Sequence, residues 1–70
     1  MTNIALLRQK ISDSGLKTQY IADKLGLHRV SLSMKINGHR QFNQYEISKL
    51  CDVLNITDPA EMQLIFLTDE

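Results

Sequence analysis

A single cysteine, Cys51, leaves no partner for an intrachain disulfide anywhere in the 70 residues. No zinc-ligand spacing surrounds it, which fits a reducing, cytosolic setting. Long apolar runs are also missing. No stretch approaches the roughly twenty residues needed to cross a bilayer. The opening MTNIALLRQKIS has neither a continuous apolar h-region nor a small-residue cleavage site. These absences predict a cytoplasmic protein with no membrane partner. The chain lacks a Ser-His-Asp or Cys-His arrangement and a Gly-rich phosphate loop, and a domain this small has little room for a pocket. An enzyme, a small-molecule substrate and a cofactor are therefore not expected. His28 and His39 have no paired carboxylate or thiol nearby in sequence and are read as surface residues, with no metal site. Net charge is missing too, since eight Lys and Arg balance eight Asp and Glu. A uniformly basic nucleic-acid binder is excluded.

The distribution of that charge changes the picture. Residues 1–49 hold all eight Lys and Arg against three acids, Asp13, Asp23 and Glu46. Residues 50–70 hold five acids, Asp52, Asp58, Glu61, Asp69 and Glu70, with no Lys or Arg. A basic head followed by an acidic segment can steer an anionic partner despite zero net charge. The acids are read either as a solvated face or as a surface for a basic partner.

Periodicity predicts an all-α chain forming one domain over residues 1–70, with five helices and no repeat or linker. Asn3 caps a first helix with Ile4, Leu7 and Ile11 inward, and Gly15 suits its C-terminal position. The second runs from about Thr18 to Leu25, burying Ile21, Ala22 and Leu25, and stops at Gly26. The third starts near His28, turns Leu32 and Ile36 inward, and ends at Asn37-Gly38. The fourth has the clearest start. Asn43 and Glu46 have capping-box spacing, Phe42 and Ile47 fit a hydrophobic staple, and Ile47, Leu50, Cys51 and Leu54 form the inner stripe. That stripe makes Cys51 a packing residue. The fifth, about 58–67, opens with Asp58 as cap and Pro59 in its first position, with Met62, Ile65 and Phe66 on one face.

The stretch Thr18 to Gly38 has the intervals of a helix-turn-helix, in which two short helices cross around a tight bend. Ala22 supplies the small residue where the backbones touch, Gly26 the bend, and Leu32 the inner face of the second helix. With Lys35-Ile36-Asn37-Gly38, the following Phe42 and a helix start from Asn43 to Glu46, residues 4–56 resemble the lambda-repressor and Cro-like (XRE-type) helix-turn-helix family. The similarity is closest to small phage and prophage regulators of Gram-positive bacteria.

That resemblance implies a five-helix, lambda-repressor-like domain whose partner is an operator in duplex DNA, with the third helix in the major groove. Arg29, Val30, Ser33 and Met34 would lie on its outward face and read bases, Arg29 by paired bonds to guanine, and Val30 and Met34 on thymine methyls. Thr18, Gln19, His28, Lys35, His39 and Arg40 would be the phosphate contacts. Thr18 stands where many members carry glutamine, and His28 where Ser or Thr usually caps. The apolar pair Val30 and Met34 keeps other readings open. It suits an anti-repressor that binds a partner repressor protein through this face, or the two side chains are partly buried. An antitoxin is a third possibility. Leu64 and Leu67 fall off the inner side of the fifth helix, and are read either as a homodimer or partner surface or as covered by the first and fourth helices.

Overall fold

The computed structural model describes residues 2–66. Their helices are α1 (Ile4–Ser14), α2 (Thr18–Leu25), α3 (Arg29–Ile36), α4 (Gln44–Leu54) and α5 (Pro59–Phe66). Among the described residues there is no strand.

Helix boundaries follow local chemistry. The Asn3 side chain accepts a hydrogen bond from the Leu6 N–H at 3.1 Å, satisfying a donor that the first turn would otherwise leave unpaired. At α4 the capping box closes in both directions. The Asn43 side chain accepts from the Glu46 N–H at 2.8 Å, and the Glu46 carboxylate accepts from the Asn43 N–H at 3.0 Å. The Asp58 carboxylate accepts from the Ala60 N–H at 3.0 Å at the start of α5. One stop signal was not read from the sequence: Asn55 ends α4 with φ 61°, a left-handed position that Asn tolerates better than most residues.

The bend between α2 and α3 depends on Gly26, at φ 70°. A Cβ there would meet nothing within 4 Å, so backbone conformation, not space, is what requires glycine. The Leu27 N–H donates to the Ala22 carbonyl at 2.9 Å, closing the turn onto the residue where the two helices meet. Gly38, at φ 83°, is restricted twice over, because a Cβ there would also lie 3.4 Å from Ile4 Cγ1.

The core is drawn from every helix. Leu7, Ile21, Ala22, Leu25, Leu32, Leu50, Cys51, Ile65 and Phe66 are buried, joined by Phe42 and Ile56 from the connections. Each large aliphatic side chain placed there contributes about 1.5–3 kcal/mol. α2 packs on α3 and α4, while α1 touches α3, α4 and α5. Phe42 meets Phe66 edge to face with ring centroids 6.3 Å apart, so the residue preceding the Asn43 cap of α4 packs on the last residue described in α5. The Asn3 N–H donates to the Ile65 carbonyl at 2.6 Å, and Lys10 pairs with Glu61. That ion pair is about one-third exposed and contributes little; apolar burial holds α5 to α1. Cys51 lies within this core, where burial and then the neighbouring Asp52 charge push its thiol above the ordinary value, leaving it protonated and unreactive at neutral pH.

Candidate nucleic-acid interface

With Leu32 buried and Ile36 half-buried, helical period turns Val30 and Met34 to the opposite side and Ser33 to the flank, while Arg29 stands at the first position of the helix; all four are exposed. Val30 is 70% and Met34 39% accessible, so Val30 is open to solvent while Met34 is partly covered. His28, standing where Ser or Thr usually caps, precedes the helix without forming a side-chain cap.

The residues expected to surround this face separate into distinct groups. Thr18, half-buried at the start of α2, lines a cleft with Ser33 and Asn37 of the α3 end and with Arg8 and Ser12 of α1. Gln19, His28 and Arg29 border a second hollow at the turn, together with Asp23. The Gln19 amide is already engaged, donating to the Asp23 carboxylate at 2.9 Å. Arg40 borders a third, near Thr2, Gly38 and Gln41. His39 and Arg40 are exposed in the connection between α3 and α4.

Lys35, expected as a phosphate contact, is engaged within the protein. Its ammonium donates to the Glu46 carboxylate at 2.5 Å, and the two side chains are only 12% and 7% exposed. Burial on its own would raise the Glu46 carboxyl. The hydrogen bond from Lys35, the Asn43 N–H, and the charges of Lys35 and Arg40 outweigh it and hold the group below its ordinary value of 4.5. A desolvated ammonium already committed to a carboxylate has little left to offer a phosphate. Its local spacing could not reveal this, because the partner lies on the next helix.

Sequence reading also missed Arg8, which only the packing of α1 against α3 brings beside Thr18 and Ser33. Leu64 is 63% exposed on α5, and Leu67 lies outside the described residues. Among the described residues, no cluster of three His, Cys, Asp or Glu could hold a metal ion, and no helix is long and apolar enough to cross a membrane.

Two short helices crossing at a glycine turn, the second displaying a cation-led face, define a helix-turn-helix domain. A helix-turn-helix family model matches residues 5–62. The chain belongs to the lambda-repressor/Cro-like (XRE-type) helix-turn-helix family, a family of DNA-binding transcription regulators. No curated protein sequence and no solved structure matches the chain.

Proposed function

We propose that the chain is a cytoplasmic, sequence-specific transcriptional regulator of phage or prophage type, Cro-like or a repressor modulator, that places α3 in the major groove of an operator. The observation that carries this reading is the exposed outer face of α3, with Arg29 at its N-terminal end and Arg40 beyond its C-terminal end. An arginine at the leading end of a helix in the groove is placed to bond a guanine edge, while cations at the far end meet backbone phosphates. Concentration of the cations in residues 1–49 supplies the attraction that the net charge conceals. A homodimer formed through the α5 end would set two such helices on half-sites one helical turn apart, and add their contacts. Titration of the full chain with operator duplex over a range of salt tests the reading. Affinity falls along a log-log line whose slope counts phosphate contacts, and absence of binding at low salt rejects it.

The exposed apolar pair Val30 and Met34 favours a second reading, in which the same face binds a partner repressor protein. Met34→Glu discriminates through wild-type affinities measured first. Under the second reading, repressor binding is tight and lost in the variant, because a carboxylate is buried without a partner, and operator binding is undetectable throughout. Under the first, the variant loses operator binding by repulsion from the phosphates.

A further inference from the structure

We infer that the cleft between α1 and α3 is a seat for one phosphate of the DNA backbone, with Arg8 as its cation, so that a third helix joins the interface. The inference rests on the DNA-binding reading above and adds a contact to it. The cleft, of about 290 Å³, has Ile11 and Ile36 as its apolar flank and presents Arg8, Ser12, Thr18, Ser33 and Asn37. These polar groups are a guanidinium, three hydroxyls and an amide, all able to donate, and no carboxylate is among them. A phosphodiester has acceptors only and carries a negative charge, so this set matches it in both respects.

Neighbouring charges sharpen the match. Asp13, the nearest acid along α1, accepts from Gln9 at 2.8 Å, and the other α1 cation, Lys10, is paired with Glu61. Arg8 is exposed and has no ion pair among the described residues. Other hollows differ in make-up. The one between α2 and α4 sets Asp52 beside Lys24 and Lys49, the one at the turn contains Asp23, and in the one beside Arg40 the second cation, Lys35, is paired with Glu46. Ser33 connects the seat to the reading face. Its hydroxyl accepts from the Asn37 amide at 3.3 Å, which leaves its own proton to donate outward, one residue from Met34. A phosphate held here by the planar, paired donors of Arg8 would fix how far α3 enters the groove.

The test uses the full chain and an operator duplex, with binding measured by fluorescence across a salt series. Arg8→Gln is expected to weaken cognate and unrelated duplexes alike, on the order of tenfold, and to reduce the log-log salt slope by about 1. Arg8→Lys keeps the slope and restores part of the affinity, since charge returns without the paired geometry. Ser12→Glu, which puts a carboxylate into the seat, weakens binding more than Arg8→Gln. A duplex scanned with single methylphosphonates identifies the seated phosphate as the one whose neutralisation weakens the wild type but not Arg8→Gln. Unchanged thermal unfolding of Arg8→Gln shows that the domain is intact. If the wild type binds and Arg8→Gln has the same affinity and slope, the seat is rejected and the DNA reading stands. If the wild type does not bind at low salt, the DNA reading fails first, and the seat with it.

Discussion

Lys35 of α3 and Glu46 of α4, eleven residues apart, form an ion pair largely removed from solvent, and the same carboxylate oxygen closes the α4 capping box on the Asn43 N–H. One atom therefore joins the last turn of α3 to the first turn of α4. The connection carrying His39 and Arg40 is held between these two ends.

Removing Lys35 leaves Glu46 desolvated, with the Asn43 N–H and the Arg40 charge as its remaining support. Lys35→Ala is expected to destabilise the domain by about 3 kcal/mol, the lower part of the range for breaking a buried pair, as read from denaturant unfolding. The salt slope of DNA binding is expected to stay that of the wild type, because the ammonium is paired with Glu46 and largely withdrawn from solvent. A reduced slope with full stability would return Lys35 to the DNA contact expected from its sequence position.

The depressed Glu46 carboxyl ties stability to pH. A group whose folded value lies below its unfolded value contributes stability above the unfolded value and loses it as pH falls through the folded one. The Glu46 contribution is therefore complete at neutral pH, and declines as acid is added below about 4.5. Thermal unfolding of Glu46→Gln across that range should show a smaller acid-induced loss than the wild type. Parallel pH profiles would remove Glu46 as a source of acid sensitivity.

The capping role of Asn43 is separable from the ion pair. Asn43→Ala removes the acceptor for the Glu46 N–H while leaving the Asn43-position N–H to donate to the carboxylate. A loss of about 1 kcal/mol is expected, a considerable share of what a domain of this size has available. Thermal unfolding indistinguishable from the wild type would show that the side-chain bond contributes nothing to the helix start.

Base reading by Arg29 has a different signature from any of these. Arg29→Ala is expected to cost about 1–3 kcal/mol on the cognate operator and to relax preference at one base pair, with stability unchanged because the side chain is exposed. Competition binding against a set of single base-pair substitutions measures both effects. An equal loss on every duplex would assign Arg29 to the backbone.

Local chemistry made most of the fold legible in the sequence. Asn3, Gly15, Gly26, Asn43 with Glu46, and Asp58 with Pro59 act within one turn of the helix they begin or end, so spacing alone located all five helices. The inward stripes followed from helical period, and so did the outward placement of Val30 and Met34, opposite Leu32 and Ile36. Tertiary structure decided what required two segments to meet. It paired Lys35 with Glu46, brought Arg8 beside Thr18 and Ser33, buried Ile56 outside any helix, and set Phe42 against Phe66. It also left Val30 open to solvent and Met34 partly covered. A cap depends on neighbours a few residues away, whereas burial and ion pairing depend on which helix faces which, and no local spacing encodes that.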